Sequence, residues 1–389
     1  MNRGRELQVC LDTTSSRCYH GRMRTFIPSK LKYLFLFVAL NLTALCVPGF
    51  CSAPTVGVTM LPALGPQSGP LTVWYPSQAV ETERPVGPFV LKGAWDGEPI
   101  QGNRGLVILS HGTGGSAETY YDLARVLVEE GFVVAAPEHV GDNWRDHTKG
   151  GPASWRGRPA EVSQAIDHVQ SEARFAALLD KGNVGVFGMS AGGLTALEFS
   201  GATWSLARLV THCALHLEED IRFCAFGEVR AAGGRGLDEQ TIKRLKTQLA
   251  TGAQSGMVDA TEYSYEDKRV KAVVAAVPAS ALIDPASLRT PRVPTALIAA
   301  DMDQELAPKW HVLAVEKACT TCVVLATLEH GGHMSILSPM PQGIAHDLGP
   351  WAEDPPGFDR KVLTRVYKDI ALFFRSHILG KDEAAPGKI

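Results

Sequence analysis

The sequence predicts an α/β fold with a mostly parallel central sheet, helices on both faces and a small helical cap insertion. Continuous apolar runs at 106–109 and 132–137 are typical of parallel strands that are covered on both faces. Patterns with helical spacing alternate with these runs, which indicates right-handed crossover connections. Strand signals then disappear between residues 203 and 267, and we interpret this interval as the cap segment.

Composition and charge limit the classes of protein to which the chain can belong. The chain has 389 residues, is 45% hydrophobic and carries a formal net charge of −3, which suits a globular protein with a sizeable core. The sequence shows no long stripe of Lys and Arg with interleaved aromatic residues. We therefore expect no nucleic-acid or other polyanionic partner.

Residues 1–53 have the pattern of a targeting leader. Basic residues between Arg22 and Lys32 precede an apolar run at 33–47, and small residues follow. This is the order of a secretory signal peptide, with cleavage after Cys51 or Ala53. A retained membrane anchor is the alternative, although the run is shorter than the roughly 20 apolar residues that a span needs. We expect export, periplasmic or secreted, and a single domain over 54–389.

Four cysteines follow the leader. An even number in an exported protein suggests disulfides, and proximity favours the pairs Cys213–Cys224 and Cys319–Cys322. The second pair also matches a C-x-x-C redox motif. It stands between a helical run and a strand, however, which favours a structural bridge. Since there is no second close Cys/His pair, no zinc site is expected.

The first half of the domain alternates strands and helices. Strands are expected at 71–76, 106–109, 132–137 and 184–187, with a Gly- and Pro-rich loop at 85–102. Ser116 is expected to cap a helix that ends near Glu130. A loop at 138–159 and a helix at 160–179 follow. Because that loop comes after a parallel strand, it is predicted to lie where α/β proteins bind ligands.

The second half begins in the cap segment. Helical spacing is expected at 238–249, followed by a loop at 251–256. Strands are then predicted at 270–277, 295–300 and 323–328, with helices at 307–315 and 362–374. The last helix should pack on the sheet.

The strand at 184–187 runs into the pentapeptide Gly188–Met189–Ser190–Ala191–Gly192. This G-x-S-x-G pattern occurs by chance in many chains, but here it joins a strand to a helical pattern. That context is typical of a nucleophile elbow, in which a strained turn exposes a serine hydroxyl. Glycines are needed two residues before and after the serine because a β-carbon would crowd the neighbouring elements.

A serine nucleophile needs a histidine base and a carboxylate that orients it. Asp303 and Asp301 both follow the strand at 295–300, and we favour Asp303 because its loop leads into a helix. His333, preceded by two glycines after the last strand, is the favoured base. His330 is the alternative, and we interpret it as structural. His111 and His139 precede the serine and are expected to be structural too.

A tetrahedral intermediate needs two backbone N–H donors. Ala191, directly after the serine, is predicted to supply one, and Thr113, in the glycine-rich loop at 111–115, the other. The alternative is that this loop is only a tight strand-to-helix turn. A phosphate loop is disfavoured because the G-K-[S/T] ending is absent.

Over roughly residues 70 to 376 the sequence resembles the α/β-hydrolase superfamily, and within it the dienelactone-hydrolase-like and platelet-activating-factor acetylhydrolase-like group. The resemblance rests on the segments 73–76, 109–115, 131–139, 158–159 and 188–193, and on Asp303 and 332–333. Two positions depart from the group. Ser190 replaces the cysteine of true dienelactone hydrolases, which argues against their reaction, and Met189 replaces a histidine found in many relatives.

The resemblance implies an esterase that forms an acyl-enzyme on Ser190 and prefers short acyl chains. It implies a small-molecule ester as substrate and no cofactor. The alternative function is a non-catalytic or thiol-redox protein that uses the hydrolase fold as a scaffold.

Overall fold

The computed structural model describes residues 54–102, 104–234, 236–255, 258–344 and 352–379. The leader predicted at 1–53 lies outside this part of the chain. The strands are β1 (Thr55–Leu61), β2 (Leu71–Ser77), β3 (Thr82–Val86), β4 (Phe89–Trp95), β5 (Arg104–Ser110), β6 (Val133–Pro137), β7 (Leu179–Met189), β8 (Val270–Ala276), β9 (Thr295–Ala300) and β10 (Val323–Leu328). The helices are α1 (Tyr121–Glu129), α2 (Pro152–Ser171), α3 (Ala191–Phe199), α4 (Leu206–His216), α5 (Ile221–Cys224), α6 (Phe226–Ala231), α7 (Glu239–Ser255), α8 (Val312–Ala318) and α9 (Val362–Ile378). Short 3₁₀ helices occupy Ala117–Tyr120 and Pro285–Leu288.

The strands form one mixed sheet in the order β10-β9-β8-β7-β5-β6-β2-β1-β4-β3. All neighbours from β10 to β6 are parallel, whereas β2 runs antiparallel to both β6 and β1. The parallel strands end at one edge of the sheet, and this edge carries the loops that matter below. The predicted fold class, a mostly parallel sheet with helices on both faces, is confirmed.

Strand β5 shows why its sequence is continuously apolar. Leu106 and Ile108 belong to the core layer that contains residues of α2, α3 and α8. Val107 and Leu109 belong to the opposite layer, with α1 and α9. Since side chains alternate across a strand, a strand covered on both faces needs an apolar residue at every position.

The region 85–102, predicted as a loop, instead contains most of a hairpin. Strands β3 and β4 pair antiparallel at the sheet edge, with Val86 opposite Phe89. Four of the five residues of β3 are exposed, including Pro85. An edge strand has no need of a continuous apolar run and tolerates proline, so the usual strand signals are missing. Strand β1, with Gly57 at its centre, was also not predicted.

Helix α2 begins eight residues before the predicted start at 160 and ends at Ser171 rather than 179. Pro152 stands at the start of the helix, where a missing N–H costs nothing. Pro159 lies inside the helix, although its sequence context predicts the end of a loop. The predicted loop at 138–159 is therefore shorter than expected, and its last residues form a helical turn.

Smaller boundary errors occur elsewhere. Helix α7 continues to Ser255, where the loop at 251–256 was expected. Residue 256 itself lies outside the described part. The helix predicted at 307–315 starts at Val312 and ends at Ala318. Both errors lie at helix ends, where sequence patterns are weakest.

Helices α4 to α7 occupy the interval predicted as the cap segment. Leu217, Ala225, Val229 and Leu245 form a small apolar cluster of their own there. A disulfide between Cys213 and Cys224 joins α4 to α5, and another, Cys319–Cys322, lies between α8 and β10. Among the residues that the structure describes, no helix combines the length and apolarity that crossing a bilayer requires.

Candidate active site

Ser190 lies in the sharp turn between β7 and α3. Its backbone has φ 59° and ψ −120°, a strained combination for a residue with a β-carbon. A β-carbon built on Gly188 would lie 1.8 Å from the Gly192 carbonyl oxygen, and one on Gly192 would lie 1.9 Å from the Ser110 carbonyl oxygen. The turn therefore requires glycine at both positions, as the pentapeptide pattern indicates.

Backbone hydrogen bonds hold this strained turn in place. The Ser190 N–H donates to the Ala276 carbonyl at the end of β8 (3.1 Å). The Ser190 carbonyl accepts hydrogen bonds from the N–H groups of Leu194 (3.1 Å) and Ala279 (3.0 Å). Three bonds, two to the end of β8 and the residues after it and one to α3, over-determine the conformation, which is how an unfavourable φ is maintained.

Asp303 and His333 come from the loops after β9 and β10 and meet beside the turn. His333 Nδ1 lies 2.8 Å from Asp303 Oδ2, and the imidazole side chain is only 9% exposed. The other carboxylate oxygen of Asp303 accepts the N–H groups of Glu305 and Leu306, each at 2.9 Å. These bonds fix the carboxylate, which in turn fixes the orientation of the imidazole ring.

The electrostatics of His333 favour its protonated form. Burial lowers the pKa of the imidazole, but the Asp303 carboxylate, through charge and hydrogen bond, and the Glu305 carboxylate act in the opposite direction. The net result is a pKa above the ordinary value of 6.5. His333 is thus suited to take up a proton from a neighbouring hydroxyl.

The alternative residues are placed differently. Asp301 and His330 are both exposed, and His330 has a positive φ of 56° in the turn after β10. The Asp301 N–H bonds to the Leu328 carbonyl (3.3 Å), which is a turn contact. The structure therefore brings Asp303 together with His333 and leaves Asp301 and His330 at the surface.

The glycine-rich loop after β5 lies directly against the serine. A β-carbon on Gly112 would be 3.2 Å from the Ser190 β-carbon. Thr113 and Ala191 line the same cavity as Ser190. Their backbone N–H groups donate no hydrogen bond to any residue in the described part of the chain. Two free N–H groups beside a hydroxyl are what an oxyanion site requires.

A buried ion pair supports this loop, and sequence reasoning did not find it. Arg158 Nη2 lies 2.7 Å from Asp142 Oδ2, and both side chains are fully buried. Arg158 also donates to the Gly112 carbonyl (3.3 Å), while Asp142 accepts the Gly114 N–H (3.0 Å). The pair thus fixes the residues on both sides of Thr113. No sequence spacing links Asp142 to Arg158, although their region had been singled out.

A second serine, histidine and carboxylate lie behind the loop, and we call them the buried set. Ser110 Oγ is 2.8 Å from His139 Nε2, and His139 Nδ1 is 2.6 Å from Glu161 Oε2. Burial and the positive charge of Arg158 hold the pKa of His139 well below its usual value. Burial raises the pKa of Glu161 to about 7. The backbone N–H of His139 donates to His111 Nε2 (3.1 Å), so His111 and His139 are both hydrogen-bonded within the interior.

One cavity of about 610 Å³ opens over Ser190 and is also lined by His333 and Thr113. Its wall is mainly apolar and aromatic, with contributions from Tyr120, Trp155, Leu209, Phe223, Leu337 and Met340. Both cysteines of the Cys213–Cys224 disulfide line it as well. A concave, apolar cavity with a few polar groups is the usual form of a small-molecule site.

A cluster in the cap segment tests the expectation of no metal. His212, Asp220 and Cys224 offer ligand atoms within 4.8 Å of one another, but the Cys224 sulfur is in a disulfide. Asp220 instead accepts hydrogen bonds from His212 (2.8 Å) and His311 (2.9 Å). Burial raises the pKa of Asp220, but these bonds outweigh it and hold the pKa at about 2. The cluster is therefore an internal hydrogen-bond network.

Comparison with known proteins was made for sequence and for structure. No curated protein sequence matches the chain. Among solved structures, a ferulic acid esterase from Streptomyces cinnamoneus is similar, with a TM-score of 0.51 and 17% identity over 86% of this chain and 93% of that chain. At that identity the similarity supports the fold alone. Residues 107–347, more than half of the sequence, match the model described as the alpha/beta hydrolase family. The chain therefore belongs to the alpha/beta hydrolase family.

Proposed function

We propose that the protein is an exported serine hydrolase that cleaves carboxylic esters through an acyl-enzyme. In this proposal Ser190 is the nucleophile, His333 is the general base and acid, and Asp303 orients His333. One observation carries it: Ser190 in its strained turn lines one cavity with a histidine whose Nδ1 is bound to a buried carboxylate. The same cavity presents two unused N–H groups.

The geometry supports a two-step reaction. His333 Nε2 takes the Ser190 proton while its Nδ1–H donates to Asp303, which stabilises the imidazolium. The serine oxygen forms a bond to the ester carbonyl carbon, and the N–H groups of Thr113 and Ala191 receive the developing oxyanion. Collapse of this intermediate breaks the carbon–oxygen bond, and His333 gives its proton to the leaving alcohol. Water then repeats the sequence and releases the acid.

The substrate in this proposal is a small-molecule ester with a short acyl chain. Family membership and the fold shared with a ferulic acid esterase support an ester as substrate. The short-chain preference rests on the narrower dienelactone-hydrolase-like and acetylhydrolase-like resemblance. The apolar wall of the cavity is consistent with a neutral acyl or alcohol group lying against it.

Export is supported by the cysteines. Both disulfides, Cys213–Cys224 and Cys319–Cys322, are formed in the structure. Disulfides persist in oxidising compartments and are rare in the cytosol of mesophiles. Together with the leader pattern at 1–53, they support a periplasmic or secreted enzyme.

The test is turnover of p-nitrophenyl esters of increasing chain length by the wild type and Ser190→Ala. We expect the variant to lose at least roughly 10⁴-fold in kcat, because only the oxyanion donors and binding would remain. Ser110→Ala is the matched control, since it removes a serine that is hydrogen-bonded to a histidine (2.8 Å) but is fully buried. It should keep kcat within a few-fold.

Two outcomes would contradict the proposal. Unchanged turnover of p-nitrophenyl acetate by folded Ser190→Ala would show that Ser190 is not the nucleophile. Failure of a fluorophosphonate probe to label Ser190 in the wild type would favour the alternative, a non-catalytic or thiol-redox protein on this scaffold. The Cys319-x-x-Cys322 bridge would then be the group to test for redox activity.

A further inference from the structure

One charged side chain of the cavity wall has no ion-pair partner among the residues that the structure describes. Four charged residues of the cap segment and of the loop after Asp303 line the cavity: Arg222, Glu228, Arg230 and Glu305. Arg222 pairs with Glu305 at 2.6 Å, and Glu228 lies 3.7 Å from Arg244 of α7. The guanidinium of Arg230 forms no ion pair and no side-chain hydrogen bond within the described ranges.

Arg230 reaches from α6 to the glycine-rich loop at 111–115. A β-carbon built on Gly114 would lie 3.8 Å from Arg230 Nη1 and 3.1 Å from His147 Cε1. Both side chains therefore lie against the same glycine, next to Thr113. Gly112, which contacts Ser190, is two residues away along the loop, a distance of at most about 7.6 Å. Together these contacts place the guanidinium at most roughly 17 Å from the Ser190 β-carbon. The separation is shorter than this limit because the loop turns between Gly112 and Gly115.

This position gives the unpaired charge a chemical consequence. The cavity wall as a whole is mainly apolar, and an apolar wall strengthens the attraction between a cation at its mouth and an entering anion. A guanidinium presents a planar pair of N–H groups that matches a carboxylate in a bidentate geometry. One guanidinium compensates one negative charge, which favours a carboxylate over a phosphate dianion.

We propose that Arg230 binds a carboxylate at the far end of the substrate. The substrates are then esters that carry a free acid group several bonds from the scissile carbonyl, either on the acyl side, as in half-esters of dicarboxylic acids, or on the alcohol side, as in acylated hydroxy acids. This inference rests on the proposed function for the Ser190 site and specifies its substrate class.

Two matched pairs of esters test the inference, one pair for each side of the scissile bond. The acyl-side pair is monoethyl hexanedioate and ethyl 6-hydroxyhexanoate, and the alcohol-side pair is 4-acetoxybutanoate and 4-acetoxybutan-1-ol. Each pair differs mainly in a terminal carboxylate or hydroxyl. For each pair we measure the ratio of kcat/KM for the anionic ester to that for the neutral ester, at low ionic strength. The variants are Arg230→Gln and the control Arg365→Gln, which removes one exposed cation from α9.

We expect Arg230→Gln to lower this ratio roughly threefold to tenfold for at least one pair. A buried arginine would give a larger change, but Arg230 is exposed and water screens its charge. Added salt should reduce the wild-type ratio toward the variant value. Arg365→Gln should leave the ratio unchanged. If Arg230→Gln leaves the ratio unchanged for both pairs, or if both arginine variants change it equally, the inference is wrong.

A binding measurement separates this result from the fate of the proposed function. Ser190→Ala protein is titrated with monoethyl hexanedioate and with 4-acetoxybutanoate by calorimetry, with and without Arg230→Gln. Weaker binding of the anion in the double variant supports the carboxylate site even if no ester is hydrolysed. Equal affinity, or no binding to either protein, overturns the inference even if neutral esters are turned over through Ser190.

Discussion

The buried set of Ser110, His139 and Glu161 and the site of Ser190, His333 and Asp303 contain the same kinds of side chain, yet they differ in access. In the buried set both hydrogen bonds are short, and Ser110 and His139 are fully buried. Ser190 has instead a strained backbone and opens into a cavity. The comparison shows that hydrogen bonding alone does not identify a nucleophile, because the serine must also reach a substrate.

The two histidines also differ in the charges that surround them. His139 is buried beside the cation Arg158, so its pKa is held well below the usual value and the ring stays neutral. His333 is bound to the carboxylate of Asp303, and its pKa is raised despite burial. Only the second histidine is suited to accept a proton during a reaction near neutral pH. Burial together with Arg158 thus separates a structural histidine from a candidate base, whose burial is outweighed by carboxylates.

The largest expected difference between the two sets comes from their carboxylates. We expect Asp303→Asn to lower kcat for p-nitrophenyl acetate roughly 10⁴-fold, because the amide favours the wrong tautomer of His333 and cannot stabilise the imidazolium. Glu161→Gln should change kcat no more than a few-fold, since Gln can still accept the His139 N–H. Asp301→Asn, at an exposed position, is a second control. If Glu161→Gln has the larger effect, the assignment of the two sets must be reversed.

A smaller effect on kcat is expected from breaking the Arg158–Asp142 ion pair that supports the glycine-rich loop at 111–115. Arg158→Met leaves Asp142 as an unpaired buried charge, so we expect a loss of about 3–5 kcal/mol in the free energy of unfolding. It also removes the Arg158 hydrogen bond to the Gly112 carbonyl, which keeps its bond from the Gly115 N–H (3.1 Å). We expect kcat to fall roughly 10-fold to 100-fold because the loop that carries the Thr113 N–H is held less firmly. Urea unfolding and ester turnover measure the two effects.

The double variant Arg158→Met/Asp142→Leu separates stability from positioning. Removing both charges should restore much of the unfolding free energy, since no unpaired charge remains buried. The kcat should stay low because Gly112 and Gly114 have lost the hydrogen bonds that Arg158 and Asp142 made with them. Full recovery of kcat in the double variant would show that the pair contributes only stability.

The smallest effect concerns pH. Because neutral His333 is the proposed base and its pKa is raised, kcat/KM should rise with pH through a midpoint above the ordinary 6.5. Asp303→Asn removes the charge that raises this pKa, so any residual activity should have its midpoint at lower pH. A profile of kcat/KM from about pH 5 to about pH 9 checks this. A wild-type midpoint below 6.5 would contradict this, because it would mean that burial lowers the pKa of His333 as it lowers that of His139.

The chain order of the candidate site could be predicted because each residue follows a recognisable strand. Ser190, Asp303 and His333 come after β7, β9 and β10, and parallel strands end at the same edge of the sheet. The central strands could be predicted because strands covered on both faces have continuous apolar sequences. The hairpin of β3 and β4 was missed because exposed edge strands carry polar residues and proline.

The supporting network could not be predicted from sequence. Arg158 and Asp142 are charged residues in a region with a loop-like composition, and nothing in their spacing indicates that both are buried. The pairing of Ser110 with His139 depends on β5 lying beside β6, and Glu161 is added by a helix whose start was placed too late. Such contacts follow from packing between separate elements, whereas motifs record only neighbours along the chain.

The close approach of Gly192 to the Ser110 carbonyl limits which sequences can carry this site. The only side chain that fits between the turn and the end of β5 is a hydrogen atom, whereas Gly227 in the cap segment has open space around it. Substitutions can accumulate around the cavity and alter what it accepts. The turn itself excludes such changes at Gly192, so we expect substitutions that alter specificity to lie in the cavity wall.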